Sequence, residues 1–174
     1  GVTDAIDRIL MGHALIASYG GIPLIYMGDE IGLLNDYGYV NHPAQAHDSR
    51  WLHRPRMDWD TAQAARQGDD SPAGRLRAGL RHILARRAAT SEFHASHAIE
   101  ILNTGNAALF AFARRAPTGS VVCLFNFTDT WQNMPGDWAI QHGAHALHDA
   151  LSDAPVLDAQ GAIALPPHAR VWIR

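Results

Sequence analysis

Apolar residues recur at helical spacing from the first turn of the chain. Ile6, Ile9, Leu10, His13, Ile16 and Ala17 fall on one side, as an amphipathic helix requires. Thr3 or Asp4 is placed to cap this helix, and Gly20-Gly21 to end it in a left-handed turn. The next segment, Ile22-Pro23-Leu24-Ile25-Tyr26-Met27, is a short unbroken apolar run. Such a run suits a strand buried on both faces, and Pro23 is tolerated near its start, where no ladder N–H is needed. A helix followed by a doubly buried strand is one repeat of an α/β architecture.

From residue 28 to residue 68 the pattern dissolves into scattered Asn, Asp, Gly, His and Pro. A connection of that length is uncommon inside a domain and is usually functional when it occurs. Asp70-Ser71-Pro72 then supplies a cap followed by proline in the first helical turn. Leu76, Leu80, Ile83 and Leu84 form an apolar stripe, while Arg75, Arg77, Arg81, Arg86 and Arg87 cover the remainder, as expected of a solvated face. After Phe93 the period changes. Residues 98–103, 107–114, 120–127, 144–151 and 169–174 read as strands, separated by turn sequences such as Asn103-Thr104-Gly105-Asn106 and Pro117-Thr118-Gly119. Short strands at this spacing predict an antiparallel sandwich. The change of period places a boundary within 91–98, dividing the chain into 1–92 and 93–174.

Composition narrows the function classes. Hydrophobic residues make up 47% and charged residues 18% of the 174 positions, enough apolar material for a folded core. The net charge of -3 argues against a nucleic-acid partner, which calls for a clustered basic face. No apolar run approaches the roughly 20 residues that span a bilayer, so no membrane partner is expected. The single cysteine, Cys123, lies in an apolar run and predicts a buried, inert thiol. One cysteine permits no internal disulfide, and with no secretory signal evident in these residues a cytoplasmic location is expected.

Several groupings carry potential chemistry. Asp29 and Glu30 are adjacent carboxylates at the end of the apolar run, but neighbouring strand residues point to opposite faces and cannot flank one bond. Glu30 is therefore expected to be a structural hydrogen-bonding residue. His94 and His97, and His142, His145 and His148, repeat at three-residue steps, yet both sets fall in loop or strand and lack the further ligands of a tetrahedral site. No metal or other cofactor is expected. His47-Asp48-Ser49 contains the members of a hydrolase triad, although triads assemble in space and contiguity is not evidence for one. Trp51, Trp59, Tyr37 and Tyr39 are candidates for stacking on sugar rings or for packing the long loop. Asn126-Phe127-Thr128 matches a glycosylation sequon but sits in a strand-like run.

The segment Gly21-Ile22-Pro23-Leu24-Ile25-Tyr26-Met27-Gly28-Asp29-Glu30 resembles the eighth-strand region of the α-amylase superfamily, glycoside hydrolase family 13. Asp48-Ser49-Arg50-Trp51-Leu52-His53-Arg54-Pro55-Arg56 is similar to the long eighth loop of the amylosucrases and bacterial sucrose hydrolases. Met57-Asp58-Trp59-Asp60 matches the Met-x-Trp-Asp ending found in related α-glucosidases. Cys123-Leu124-Phe125-Asn126-Phe127 and Leu165-Pro166-Pro167 resemble the β-sandwich domain that follows the barrel.

The resemblance implies an α/β plus all-β fold: the last helix–strand–helix part of a (β/α)8 TIM barrel, with the eighth loop at 28–68, followed by a C-terminal antiparallel β-sandwich. It implies a retaining enzyme that cleaves sucrose and passes glucose to water or to an α-1,4-glucan, using paired carboxylates. Those carboxylates and a transition-state-stabilising aspartate come from earlier barrel strands, so no catalytic residue is assigned here. The remainder of the barrel is then an expected partner, and this chain alone is expected to be inactive and poorly behaved. Arg50 and Arg54 match the loop's arginines. The resemblance places Arg50, with Arg54 close by, in an ion pair that closes a glucose-sized pocket. A planar guanidinium can grip a carboxylate while its other donors reach sugar hydroxyls. Arg50→Ala is accordingly expected to cripple sucrose turnover. Two other readings remain: a non-catalytic structural or glycan-contacting module, and an enzyme acting on other α-glucosides or trehalose.

Overall fold

The computed structural model describes residues 1–174, which form two compact units. One comprises Gly1–Pro23 with Leu80–Arg174, and the other Leu24–Gly79. The first helix, α1 (Val2–Tyr19), buries Leu10, Met11, Ala14, Ala17 and Ser18. The predicted stripe is thus rotated. Ile9 and Ile16 are exposed, and the buried face combines Leu10 and Met11 with the small residues Ala14, Ala17 and Ser18. Ser18 lies on that face with its Oγ donated to Ala14 O at 2.7 Å.

Residues 22–27, expected as a strand, belong to no sheet in this chain. A strand is made by its neighbours' hydrogen bonds, and none of the chain's strands pairs with this run. Ile22 and Leu24 are consequently 90% and 77% exposed.

The second unit is built mainly from polar caps. Gly28 and Gly32, with φ of 99° and 66°, bracket a single 3-10 turn, Asp29–Ile31. Two further 3-10 turns, Tyr37–Asn41 and Ser49–His53, each begin with an aspartate, Asp36 or Asp48, whose carboxylate accepts a backbone N–H two residues on. Asp36 N donates to Leu52 O at 2.9 Å and ties the two turns together. The 28–68 stretch also contains a helix that the sequence pattern did not reveal, α2 (Trp59–Gln67). Asp58 caps it by accepting from Thr61 N and Oγ1 at 3.0 and 2.7 Å, and Gly68 closes it with φ 84°. Its apolar centre is small: Ile31, Ala65 and Ala73, with Leu33, Met57 and Ala62 against them. A segment held by so little buried surface is expected at the low end of local stability.

The next helix, α3 (Pro72–Ala88), starts where the Ser-Pro signal places it. Leu76, Leu80 and Ile83 are buried, as the stripe predicts, and Leu84 is partly exposed. The arginines of its last turns are not simply solvated. Arg87 donates to Ala17 O and, at 3.1 Å, to Gly21 O. Ala17 O is among the last α1 carbonyls, which have no partner inside their own helix. Arg86 donates to Ala150 O and lies 3.4 Å from Asp153.

The rest of the chain is antiparallel sheet: β1 (Ala98–Leu102), β2 (Leu109–Ala116), β3 (Gly119–Asn126), β4 (Gln132–Pro135), then helix α4 (Gly136–Gln141), β5 (His148–Asp149), β6 (Ala154–Pro155), β7 (Ala162–Leu165) and β8 (Arg170–Ile173). Six strands pair in the order β1-β2-β3-β8-β5-β6, and β4 pairs with β7 in a separate ribbon. Alternate residues of the larger sheet, Leu109, Ala111, Ala113, Val122, Leu124 and Ile173, share one core with Met134 of β4, Ile163 and Leu165 of β7 and Ala139 of α4. The opposite face carries Phe112, Arg114, Cys123, Phe125 and Trp172, all fully buried. There Phe112 meets Tyr19 of α1 edge-on at 5.3 Å, and Phe93 meets Trp172 at 4.7 Å. Burial of both faces explains why β2 and β3 read as continuous apolar runs rather than alternating ones.

Four of the five expected strands are found with shifted ends. The fifth, 144–151, pairs only at His148–Asp149. The buried Asp149 carboxylate accepts from Leu151 N, Ser152 N and Ser152 Oγ at 2.9, 3.0 and 2.6 Å, curling the chain into a turn. It also accepts from Trp172 N at 2.8 Å, fixing β5 to β8. No helix is long and apolar enough to cross a membrane.

Candidate functional site

The second unit contains a pocket of about 390 Å³ lined by Tyr26, Met27, Gly28, Asp29, Leu33, Asn35, Arg50, His53, Arg54 and Pro55. That volume lies in the range of small-ligand sites. The two arginines singled out by the sequence, Arg50 and Arg54, therefore meet at one cavity with the end of the apolar run. They arrive by different local geometry. Arg50 lies in the 3-10 turn Ser49–His53, and Arg54 is the residue that ends it.

Their electrostatic situations differ. Arg50 is clamped by Asp48, two residues before it: Nε donates at 2.8 and 3.0 Å to the two carboxylate oxygens and Nη2 donates at 2.7 Å. The side-chain bonds from Arg50, then the Arg50 backbone N–H, hold the Asp48 carboxyl down at about 2. Arg50 is thereby raised from its usual value. Arg54 forms no ion pair and keeps its guanidinium donors free beside the same pocket. His53 Nδ1 is hydrogen-bonded to Asn35 Oδ1 at 3.2 Å, and both line the cavity.

Asp29 and Glu30 stand at a 3-10 turn and not on a strand. Glu30 accepts from Gly28 N at 2.8 Å and Asp29 from Tyr26 N at 3.2 Å, so both carboxylates brace the turn that shapes one wall of the pocket. The structural role expected of Glu30 is the one it has. Of the four aromatic candidates, Trp51 lines a second cavity of the same unit, of about 750 Å³. Trp59 and Tyr37 are 70% and 73% exposed, and Tyr39 lines neither cavity. Asp48 serves as a turn cap and arginine clamp. His47, Asp48 and Ser49 thus give no triad geometry.

The histidines are engaged locally. His94 Nδ1 bonds Ser96 Oγ at 2.8 Å, and the His94 and His97 rings lie 5.7 Å apart. His142 Nδ1 bonds Trp138 O at 2.8 Å. No three metal-ligating groups converge. Cys123 is fully buried, and burial pushes its thiol far above the ordinary value, giving the inert group expected. Asn126 is also fully buried; its Nδ2 donates to Thr130 O, Leu165 O and Pro166 O at 2.8, 3.1 and 2.9 Å. The sequon is therefore a corner of the sheet and not an accessible acceptor.

Two polar groupings had no sequence signal. Arg114, fully buried, donates to Ser18 O at 2.8 Å, His94 O at 2.7 Å and His97 O at 3.2 Å. These bonds join β2 to α1 and to the turn before β1. His168, left-handed at φ 56°, places Nε2 3.1 Å from Arg8 Nε and 3.0 Å from Asp129 Oδ1. Both groupings depend on residues far apart in sequence, which no local pattern reports.

No family model matches the chain. Solved structures do. Over 97% of its length the chain superposes on an AmyP variant in complex with maltotriose, with a TM-score of 0.72 at 17% identity and 34% of that protein covered. It superposes on the cyclic α-maltosyl-(1→6)-maltose hydrolase of Arthrobacter globiformis, again over 97% of its length, with a TM-score of 0.61 at 20% identity and 31% of that protein covered. The trehalulose synthase MutB of Pseudomonas mesoacidophila matches with a TM-score of 0.62 at 14% identity, 97% of this chain and 38% of MutB being covered. These neighbours are enzymes of glycoside hydrolase family 13. At such identities the likeness is one of fold, and the chain spans about a third of the length of each protein it matches.

Proposed function

We propose that this chain is the C-terminal third of a retaining, sucrose-cleaving enzyme of the α-amylase superfamily, which passes the glucosyl unit to water or to an α-1,4-glucan. In this reading residues 22–27 form the last strand of a (β/α)8 barrel whose other strands lie outside the chain, and their exposed apolar side chains and unpaired backbone are the surface those strands cover. The domains divide as 1–92 and 93–174, the latter being the β-sandwich domain. The nucleophile, the acid and the stabilising aspartate belong to the outside strands, and the eighth loop supplies the wall of a glucosyl pocket. The observation that carries the proposal is the meeting of Arg50 and Arg54 with the Tyr26–Met27–Gly28–Asp29 turn at one cavity of about 390 Å³. A fold shared with MutB, a variant of which binds the substrate sucrose, is consistent with it.

Within the pocket the roles divide by partner. Arg50, already neutralised by Asp48, orders the loop. Arg54, with free donors, contacts sugar hydroxyls or a carboxylate from the barrel. The test is sucrose cleavage by the full-length enzyme and its variants. Two charged hydrogen bonds lost from Arg54→Ala cost about 3 kcal/mol, on the order of a 100-fold fall in kcat/KM. Arg50→Ala, which the resemblance alone would have cripple turnover, is on this reading expected to lose about tenfold or less, because Asp48 already pairs with Arg50 and the loss comes through loop disorder. Equal losses, or a larger loss at Arg50, overturn the division of roles. Absence of sucrose cleavage by the intact enzyme overturns the substrate.

A second reading has a specific support: structural neighbours bind maltotriose and a cyclic maltosyl-maltose. The same pocket would then receive the terminal glucose of a maltooligosaccharide. Turnover of maltotriose but not sucrose decides for that reading.

A further inference from the structure

We propose that the groove of about 610 Å³ at the end of α3 holds an extended backbone segment of the full-length enzyme, the stretch that leads into its first barrel strand. The inference rests on the barrel reading above and adds to it an interaction surface away from the sugar pocket. Barrel topology brings that stretch to the groove. In a (β/α)8 barrel each helix returns on a right-handed path and packs over the seam between its own strand and the next. The helix after the last strand therefore covers the seam where the last strand meets the first. On this reading residues 22–27 are the last strand and α3 is that helix. Barrel strands are parallel, so the first strand begins beside the start of the last, at Pro23. Pro23 is also a wall of the groove, with Leu84 and Ala88 of α3 and with Phe93, His94 and His97. The chain entering the first strand has to pass this point.

The walls of the groove suit a peptide backbone. Phe93 is buried beneath it, while Leu84 and Ala88, one helical turn apart, are exposed apolar groups on its side. The two histidines repeat at a three-residue step and carry opposite hydrogen-bonding roles. Ser96 N donates to His94 Nδ1 at 3.2 Å, so the proton of the neutral His94 ring sits on Nε2. His97 Nδ1 lies 3.3 Å from Glu92 O, a carbonyl that can only accept. The His97 proton is therefore on Nδ1, and its Nε2 is an acceptor. Neither Nε2 is used within the chain, since the bonds of both rings go to Nδ1. One free donor and one free acceptor beside an apolar wall match an extended strand, which offers C=O and N–H along one edge and side chains at right angles to it. An anion would call for donors alone.

The experiment is photo-cross-linking of the full-length enzyme. p-Benzoylphenylalanine is placed at position 88 in one variant and at position 91 in another. Ala88 and Ser91 are both exposed at the groove, so either variant decides should the other fail to fold. The expected product is a link within one chain to the stretch before the first strand. It should fall within about ten residues of that strand, an extended reach of about 33 Å. A link elsewhere in the chain, a link between two copies, or no link to protein, as a small ligand or open solvent would give, overturns the assignment. Amide exchange of residues 22–27 in the same enzyme tests the reading beneath it, with protection of about 100-fold or more expected of a paired strand. Protection there with a misplaced link removes only the occupant of the groove. Unprotected amides remove the barrel reading and the occupant together.

Discussion

Replacing Asp149 is expected to be among the most damaging single changes outside the pocket. Its carboxylate is 4% exposed and accepts four bonds, from Leu151 N, Ser152 N, Ser152 Oγ and Trp172 N, at 2.6 to 3.0 Å. Hydrogen bonds to a charged group contribute about 1.5–3 kcal/mol each, and an orphaned buried donor costs about 1–3 kcal/mol. The four share one acceptor group and cannot be added. Asp149→Ala leaves the buried Leu151 and Trp172 amides without partners and is expected to cost about 4 kcal/mol, at the upper end for point mutants. Asp149→Asn keeps an acceptor for those two amides and turns its NH2 toward the two Ser152 donors, for about 2 kcal/mol. In urea denaturation with a slope of about 2 kcal/mol/M, these costs lower the midpoint by about 2 M and 1 M. A loss below about 1 kcal/mol for the alanine variant, or equal losses for the two, would refute the view that a charged acceptor holds β5 to β8.

Two further outcomes follow from the charge and burial of named groups. The Asp48 carboxyl is depressed by Arg50, so its pairing is complete above about pH 4 and disappears as pH falls through about 2. An NMR titration of the Asp48 carboxyl carbon should show that midpoint, and Arg50→Gln should return it toward the ordinary carboxylate range; an unmoved midpoint contradicts the clamp. Cys123, buried and with its thiol pushed far upward, should not react with a disulfide reagent at pH 8 until the protein is unfolded. Rapid labelling of the native protein would show the site to be open.

The pairs that define the candidate site show where local reasoning ends. Arg50 and Arg54 stand four apart in a stretch rich in turn formers, and their arrival at one cavity follows from a short-range 3-10 turn. That Asp48 takes up Arg50 while Arg54 stays free was not legible, because spacing gives proximity and not rotamer. The Gly28–Gly32 turn was legible only as a break. Its φ values and the use of Asp29 and Glu30 as braces needed the backbone. Trp51 was one of four equal aromatic candidates until the second cavity set it apart.

The sequence by itself determined α1 and α3, each a pattern of helical period over seventeen or more residues, and the central strands β2 and β3, each an eight-residue segment between turn sequences, because period and turn chemistry are local properties. It also pointed to the inertness of Cys123, which lies in an apolar run that β3 buries completely. Tertiary structure alone decided which face of α1 is covered. There Met11, Ala14 and Ser18 are covered while Ile9 and Ile16 stay exposed, because the sheet packs on that side of the helix. It decided the four-residue ribbon β4–β7, too short to carry a period, and the curtailment of 144–151 by a buried carboxylate. It left residues 22–26 unpaired, because a strand exists only when another backbone supplies the complementary donors and acceptors.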